Sequence, residues 1–408
     1  MKLVEKCGCR GVQLCFQTAM PVLPYKKPEI LDSVAKLPEL FEKEQIRSVL
    51  LITDAGIRQH GLTQGLETML RDRGISCPVY DRTVANPTSD NVEQARSVYI
   101  QNHCQAIIGF GGGSSIDCAK AVGARIAKPN QSLDRMAGVL RVHGRLPMMI
   151  AVPTTAGTGS EVTLAAVITD SKTHHKYAIE DFCLIPGYAV HDPELTRSLP
   201  RSLTASTALD ALTHAVEAYI GRSTTRETRR EATQAVGLIF GNLDDAWQDG
   251  GNMEARRNLL TAAYLAGDAF SKSYVGYVHA IAHSLSGKYN LPHGYTNAVL
   301  LPWVLEAYGG AIHQKLAQLA VAAGVATVDT VPAIAAGNLI RAIRNMNRKY
   351  GIPTCFRELQ QADIPELART AAREANPLYP VPVLMDQKEL QKLYRQVLPT
   401  AQHMEETA

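Results

Sequence analysis

Short apolar runs and helical patterns alternate between about residue 45 and residue 200. The segments SVLLIT (48–53), QAIIGF (105–110) and MMIAVPTT (148–155) are short, apolar and contain β-branched residues, which is typical of buried strands. Between the first two, the stretch from Ser89 to His103 places apolar residues at helical spacing. Buried strands that alternate with amphipathic helices predict a parallel sheet covered by helices.

The remaining pattern predicts an antiparallel insertion and a helical second half. Within residues 162–181, two apolar runs flank the polar segment SKTHHK, which indicates a hairpin beside the parallel sheet. After Pro200, Ala, Leu and charged residues at helical spacing dominate, and the strand pattern ends. We therefore predict an α/β plus all-α architecture, with an α/β domain over residues 1–200 and an all-helical domain over residues 201–408.

Composition and charge fit a two-domain globular protein. The chain has 408 residues, of which 46% are apolar, and its 42 basic and 39 acidic residues are spread along the whole length. With a net charge of only +3 and no basic stripe, nucleic acid is not expected as a partner. Glu5 and Lys6 interrupt the N-terminal apolar run, and no later stretch is long enough to span a membrane. These features predict a cytoplasmic protein without membrane association.

The eight cysteines do not form a disulfide pattern, and a reducing compartment suits them. Cys7, Cys9 and Cys15 lie close together and are a possible zinc site, but they lack a second ligand pair at finger spacing. A short N-terminal hairpin is the preferred interpretation of this segment.

A glycine-rich turn, GFGGGSSIDCAK (109–120), follows a predicted strand and opens a predicted helix. Backbone N–H groups and a helix dipole at such a turn can hold a phosphate, and glycines allow the backbone to approach it closely. Ser114 and Asp117 stand at capping-box spacing. Because Ser114 replaces the third glycine of the dinucleotide fingerprint, an ordinary strand-to-helix turn remains an alternative. At the end of the first strand, Asp54 is either an acceptor for an adenosine ribose or a strand-end turn residue.

Acidic and histidine residues recur at helical spacing in the second half. Asp210 and His214 lie four residues apart, on the face expected to be opposite Leu209, Leu212 and Val216. His279 and His283 are also four apart, on a helix that Gly287 is expected to end, and His293 follows. Any one of these could be a hydrogen-bonded core histidine. Together, a carboxylate oxygen and three of these imidazoles favour binding of a divalent transition ion, iron(II) or zinc. The lack of thiolates argues against a structural zinc site.

The motifs GGGSSID, PTTAGTGSEVT, DALTHAVEAY and GYVHAIAHSLSGKYNLPHG make the chain similar to the iron-containing (group III) alcohol dehydrogenases. The resemblance runs from about Ser48 to at least Trp303. It implies a Rossmann-like dinucleotide-binding domain followed by a helical metal-binding domain, the dehydroquinate synthase-like arrangement, with the active site in the cleft between them.

The resemblance also implies roles for individual residues. For Asn86, Thr154, Thr155 and Thr163, the alternative to a cofactor contact is turn chemistry or strand packing. For Lys176, the alternative is a solvated hairpin lysine. His283 is implied as the active-site histidine beside the nicotinamide. The implied metal ligands are Asp210, His214, His279 and His293. The implied cofactor contacts are Asp54, Asn86, Gly112, Gly113, Ser114, Thr154, Thr155, Thr163 and Lys176.

The chain departs from the family pattern near its start. Where many members have a Phe-Gly-x-Gly turn after the first strand, this chain has YKKPEILDSVAKL (25–37), so the N-terminal arm is expected to be built differently. A homodimer or larger homo-oligomer is still implied, but a dimer contact made by that arm is in question.

The activity implied is a metal-dependent transfer of a hydride between a small primary alcohol or diol, or its aldehyde, and NAD. His283 either relays the proton or shapes the substrate pocket. A glycerol-dehydrogenase-like polyol oxidoreductase is the nearest alternative. A dehydroquinate-synthase-like lyase would need a cluster of basic residues around His279 to His293, which the sequence lacks. A non-catalytic scaffold that holds NAD and metal would not need all four ligand positions intact.

Overall fold

A computed structural model describes residues 1, 3–19, 23–173 and 175–399 of the chain. The chain divides into two compact units. We call Pro24–Leu199 with Gly250–Leu260 the sheet unit, and Met1–Leu23, Pro200–Asp249 and Thr261–Ala408 the helical unit.

The sheet unit is built on two β-sheets. Their strands are β1 Glu29–Leu31, β2 Val49–Ile52, β3 Val79–Tyr80, β4 Ala106–Gly111, β5 Gly138–Val139, β6 Met148–Pro153, β7 Ala165–Thr169, β8 Lys176–Glu180 and β9 Tyr188–Val190. The larger sheet is parallel and has six strands in the order β1-β9-β6-β4-β2-β3. The second sheet has three strands in the order β5-β8-β7. The helices are α2 Leu37–Lys43, α3 Ala55–Gln59, α4 Gln64–Asp72, α5 Ser89–Gln101, α6 Gly113–Ala127 and α7 Leu133–Met136.

Both faces of the large sheet are buried, which explains why its strands are continuous apolar runs. Successive side chains of a strand point to opposite faces. Accordingly, Leu50 and Ile52 of β2 pack in one apolar cluster, whereas Val49 and Leu51 pack in the other. The three predicted strands and the helix after Ser89 are therefore confirmed, as is the α/β class of this half.

The predicted hairpin is confirmed as β7 and β8, which pair antiparallel from Ala165 opposite Glu180 to Thr169 opposite Lys176. It belongs to the three-stranded sheet, in which β5 joins β8 in parallel. The hairpin therefore lies outside the large sheet.

The helical unit contains helices and no strand among the residues that the structure describes. No described helix is both long enough and apolar enough to cross a membrane. Its helices are α1 Leu3–Ala19, α8 Arg201–Ile220, α9 Arg226–Gln248, α10 Met253–Ser273, α11 Tyr277–Tyr289, α12 His293–Tyr308, α13 His313–Ala322, α14 Pro332–Lys349, α15 Ile364–Ala375 and α16 Gln387–Gln396, with the first part of α10 assigned to the sheet unit.

The N-terminal segment differs from the sequence prediction in two ways. It forms helix α1 instead of a hairpin, and it groups with the helical unit, although the predicted boundary placed it with residues 1–200. The reason is a set of long-range hydrogen bonds: Arg10 donates to the carbonyls of Val381 and Pro382, and Gln13 donates to that of Tyr379. In α1 the three cysteines are spread along a helix, with Cys7 and Cys15 exposed and Cys9 buried, and they do not converge as zinc ligands.

Candidate metal centre and dinucleotide-binding turn

Four potential ligands of the helical unit converge on one point. Asp210 and His214 come from the middle of α8, His279 from the first turn of α11, and His293 is the first residue of α12. One ligand atom of each lies within 4.8 Å of the others. The helix start at His293 follows Pro292, so the imidazole is projected from the end of a helix while the other three project from helix sides.

Helix α8 is buried on both of the faces that the sequence distinguished. Asp210 and His214 are buried, and so are Leu209, Leu212 and Val216 on the other side. A carboxylate in such surroundings is costly unless it is compensated. The burial of Asp210 therefore favours a binding role over a solvated helix face.

Asn297, one helical turn after His293, lies at the centre of the cluster and was not predicted. Its Nδ2 atom donates to Asp210 Oδ1 at 2.7 Å and lies 3.1 Å from both His279 Nε2 and His293 Nε2. Its Oδ1 atom is buried and has no hydrogen-bond partner among the described residues. An amide that contacts three ligand atoms shows how closely the donors converge.

Glu217 orients the His279 ring through a contact with its Nδ1 atom. Its Oε2 atom lies 2.6 Å from His279 Nδ1, and the carboxylate also accepts hydrogen bonds from the backbone N–H groups of Gly276 and Val278, each at 2.8 Å. This arrangement holds the proton on Nδ1 and leaves Nε2 facing the cluster, as in many metal-ligating histidines. Gly276 is required here because a Cβ atom would lie 2.7 Å from Glu217 Oε1.

The protonation states of this pair follow from burial. Desolvation raises the pKa of Glu217 to about 7, and three backbone hydrogen bonds oppose the shift. Desolvation, followed by the neighbouring imidazoles of His214, His293 and His283, holds the pKa of His279 well below its usual range. A neutral imidazole is the form that ligates a metal.

The donor set therefore fits a divalent transition ion. It consists of one carboxylate and three imidazoles, with His279 held neutral and correctly oriented. Nitrogen and oxygen donors without thiolate suit iron(II) or zinc in a reactive site.

His283 lies beside this cluster with partners of its own. Its Nδ1 atom is 2.6 Å from Glu374 Oε1, which also accepts a hydrogen bond of 2.7 Å from the Tyr379 hydroxyl. Its ring stacks on that of His293, with 5.2 Å between centroids. About 29% of the side chain is exposed, so it can exchange protons with solvent, unlike the buried His279.

The helix that carries His279 and His283 does not end at Gly287. It continues to Tyr289, and Asn290 adopts the left-handed conformation with φ +54°. Asparagine tolerates this conformation and commonly ends helices. The tight turn it makes leads directly to Pro292 and His293.

In the sheet unit, the carboxyl ends of three adjacent strands carry predicted cofactor contacts. Asp54 follows β2, Gly112 follows β4, and Thr154 follows β6. Ligands of open parallel sheets bind at this edge.

The glycine-rich turn differs from the predicted capping box. The N-cap residue of α6 is Gly112, which supplies no side-chain cap, and Ser114 and Asp117 lie inside the helix. The backbone needs glycine at Gly111, where φ is +145°, and at Gly113, where a Cβ atom would lie 2.8 Å from Thr158 Cγ2. A helix start without a side-chain cap leaves its first N–H groups available to an anion.

Asp54 lies against this turn. Its Oδ1 atom caps α3 by accepting from the N–H of Ile57 at 3.0 Å, and its Oδ2 atom is 3.4 Å from Ser115 Oγ. Both roles that the sequence left open are thus compatible with its position: it is a helix cap, and its second oxygen faces the glycine-rich turn.

Asn86, Ser114 and Lys176 form one connected group. The Asn86 N–H donates to Ser114 Oγ at 3.3 Å, and Asn86 Oδ1 accepts from Lys176 Nζ at 2.8 Å. Asn86 adopts a left-handed φ of +58°, which explains the residue type. Lys176 is therefore held near the turn and is not a solvated hairpin lysine.

The predicted threonines occupy the segment after β6. The Thr154 N–H donates to the Gly111 carbonyl at 3.0 Å, and the Thr155 side chain would lie 3.6 Å from a Cβ atom at Gly112. Thr163 is fixed differently: its hydroxyl oxygen and carbonyl accept from Lys120 Nζ, at 2.9 and 2.7 Å.

Lys120 was not predicted as a site residue, although it ends the glycine-rich motif. It is fully buried, and desolvation lowers its pKa to about 8 while the carboxylate of Asp117 opposes the shift. Its third hydrogen bond goes to the Ala165 carbonyl at 2.8 Å. Asp117 in turn accepts from the N–H of Val167 at 3.0 Å. The Lys120 and Asp117 pair thus ties the segment that carries Thr163 to helix α6.

Comparisons with known proteins identify the family on both halves of the chain. Residues 31–193 match the family model described as iron-containing alcohol dehydrogenase, and residues 204–398 match the C-terminal domain of the same family. The 1,3-propanediol dehydrogenase of Citrobacter freundii is 40% identical over 354 residues, 86% of this chain and 91% of the relative. The NAD-dependent methanol dehydrogenase of Bacillus methanolicus is 36% identical, over 80% of this chain and 86% of the relative.

Solved structures give the same result. A 1,3-propanediol oxidoreductase superposes with a TM-score of 0.88 at 35% identity, covering 92% of this chain and 99% of that one. A sulfoacetaldehyde reductase from Bifidobacterium kashiwanohense, solved in complex with NAD+, superposes with a TM-score of 0.81 at 27% identity, covering 92% and 98%.

Proposed function

Because this chain belongs to the iron-containing alcohol dehydrogenase family, we propose that it transfers a hydride between a small primary alcohol or diol, or the aldehyde, and NAD. The convergence of Asp210, His214, His279 and His293 is the observation that carries the proposal. Relatives named for 1,3-propanediol and methanol support a short, uncharged substrate, and no relative named here favours the polyol alternative.

The four ligands would hold one divalent ion, which we propose to be iron(II), with zinc as the alternative. When bound, such an ion supplies Lewis-acid stabilisation of negative charge on the substrate oxygen. Glu217 would hold the His279 ring in the orientation that aims Nε2 at the ion, through its contact with Nδ1. Asn297 would hold the Asp210 carboxylate in place.

The sheet unit would bind NAD, which supplies the hydride acceptor. The uncapped start of α6 at Gly112, Gly113 and Ser114 would hold the pyrophosphate. Asp54 would accept from the adenosine ribose. The remaining predicted contacts would line the same edge of the sheet; they are Asn86, Thr154, Thr155, Thr163 and Lys176.

His283 would carry the proton between the substrate and solvent. Glu374 lies 2.6 Å from Nδ1, so it would stabilise the imidazolium that forms when the ring accepts a proton, and the Tyr379 hydroxyl orients that carboxylate. Glu374 would thus be a positioning residue for His283.

We predict that His283→Ala keeps its metal and loses about tenfold to a hundredfold in kcat, within the range of single proton-transfer groups. Glu374→Gln should keep the metal and lower kcat with little change in KM, because the imidazolium loses its anionic partner. Tyr379→Phe should have a smaller effect in the same direction. Loss of metal from His283→Ala would show that His283 is a ligand, and an unchanged kcat in Glu374→Gln would remove its positioning role.

The decisive experiment is an assay of NADH formation by metal-reconstituted protein over a panel of short alcohols and diols. We expect turnover with iron(II) and with at least one primary alcohol or diol, and none with a chelated sample. Bound metal and NAD without turnover on any substrate in either direction would favour a non-catalytic scaffold. Elimination chemistry on a phosphorylated acid would favour the lyase alternative.

We also propose a homodimer or larger homo-oligomer in the cytoplasm. All eight cysteines are free, which suits a reducing compartment. Strand β1 stands at the edge of the large sheet, and Ile30 within it is 43% exposed, which favours burial against a second chain.

We predict that Ile30→Lys lowers the oligomeric mass measured by light scattering and leaves NAD affinity within about twofold, since none of the proposed cofactor contacts lies in β1. Val328→Lys, at an exposed position outside the sheet unit, is the matched control and should leave the mass unchanged. An unchanged mass together with a collapsed NAD affinity in Ile30→Lys would contradict this assignment.

A further inference from the structure

The helical unit carries a basic depression that neither the metal cluster nor the glycine-rich turn uses. Its volume is about 550 Å³, and it is formed by α8, α9 and α13. We call it the arginine pocket. The lining residues that matter here are Tyr219, Arg226, Arg229, Arg230, Thr233 and Gln318.

The three arginines share one face of α9 because they stand at positions i, i+3 and i+4. Like charges at this spacing repel one another. Arg226 is also the first residue of the helix, so the three cations crowd its N-terminal turns, where the helix dipole disfavours positive charge. The local fold therefore gains nothing from this arrangement.

Within the part of the chain that the structure describes, no carboxylate compensates these charges. Among the described residues, none of the three guanidinium groups has a carboxylate partner or donates a side-chain hydrogen bond. The acidic neighbours on α9 are committed elsewhere: Glu227 lies 3.4 Å from Lys272 Nζ, and Glu231 is buried.

Further positive charge surrounds the pocket. Lys315 Nζ donates to the carbonyls of Ile220 and Gly221, at 2.8 and 2.6 Å. Burial, and then the cations Arg229 and Arg222, lower the pKa of Lys315 to about 8. An anion in the pocket would relieve this repulsion.

We propose that the arginine pocket binds a small molecule that carries two or more phosphoryl groups. Guanidinium groups pair with phosphates through two parallel hydrogen bonds, and three of them exceed what one phosphate needs. Neutral polar groups also line the pocket. They are the Thr233 hydroxyl and the hydrogen-bonded pair in which the Tyr219 hydroxyl donates to the Gln318 amide oxygen. The volume lies within the usual range of small-molecule sites.

The proposal goes beyond the proposed function, because the lining shares no residue with the metal cluster or the predicted cofactor contacts. A ligand there would leave the dinucleotide site free. Its binding can therefore be measured with that site filled.

The test is a calorimetric titration of the full-length, metal-loaded protein with fructose 1,6-bisphosphate, in the presence of saturating NADH. We expect saturable binding at one site per chain that weakens as salt is raised. The double variant Arg229→Gln with Arg230→Gln should bind at least about tenfold more weakly. Arg369→Gln, on the exposed face of α15, is the matched control and should stay within about twofold.

Folding is checked separately, since glutamine is a good helix former at these exposed positions. Without ligand, the double variant should have a Tm equal to or higher than that of the unmodified protein, because repulsion is removed. A clear fall in Tm would make the arginines structural and would overturn the proposal. The proposal would also be overturned if the double variant bound the bisphosphate with equal affinity, or if NADH abolished binding. Binding of polyglutamate but not of the bisphosphate would overturn it in favour of an acidic protein partner.

Discussion

Replacement of His279 or His293 by alanine is expected to remove most of the bound metal and to lower kcat by roughly a thousandfold or more, while the protein stays folded. Either change removes one of three imidazoles from a set whose ligand atoms all lie within 4.8 Å of one another. In His279→Ala the carboxylate of Glu217 also loses its imidazole partner, although it keeps the N–H groups of Gly276 and Val278. Metal content by mass spectrometry, kcat and circular dichroism should be measured on the same preparations.

The matched control is His60→Ala, because His60 is an exposed residue at the end of α3 in the sheet unit. It should retain metal and turnover. Full metal content and full turnover in either cluster variant would show that the residue replaced is not a ligand. Loss of helical signal in His293→Ala alone would instead point to a role in starting α12.

The sequence predicted the parts of the metal site that depend on helical periodicity. Asp210 and His214 project from one helix at a fixed spacing, and the structure brings them together with His279 and His293. It did not predict Glu217 or Asn297, because their roles depend on how α8, α11 and α12 pack. Glu217 stands seven residues after Asp210 and Asn297 four after His293, so both follow the same helical faces as the ligands.

Two of the wrong predictions were local patterns overridden by tertiary contacts. Ser114 and Asp117 have the spacing of a capping box, but Asp117 accepts instead from Val167 and balances the buried charge of Lys120. The N-terminal segment was interpreted from its cysteines, whereas its position is determined by the hydrogen bonds of Arg10 and Gln13 to residues more than three hundred positions away. Local spacing holds no information about such partners.

The second large effect is expected at Asp54, whose replacement should shift the cofactor preference from NAD toward NADP. Asp54 Oδ2 lies beside the glycine-rich turn, 3.4 Å from Ser115 Oγ, where the adenosine ribose is proposed to bind. The carboxylate would meet the 2′-phosphate of NADP as a like charge at short range. Such a contact in a partly desolvated site costs a few kcal/mol, so the ratio of the two kcat/KM values should change by about tenfold to a thousandfold.

Two substitutions separate this charge effect from the capping role of Asp54. Asp54→Asn keeps an acceptor for the N–H of Ile57 and removes the charge, whereas Asp54→Gly removes both. Arg58 will not soften the repulsion, because it donates to Thr63 at 2.7 Å and to Glu67. Both variants should therefore gain activity with NADP and lose some affinity for NAD, with Asp54→Gly slightly less stable. An unchanged ratio in Asp54→Asn would mean that Asp54 serves only to start helix α3.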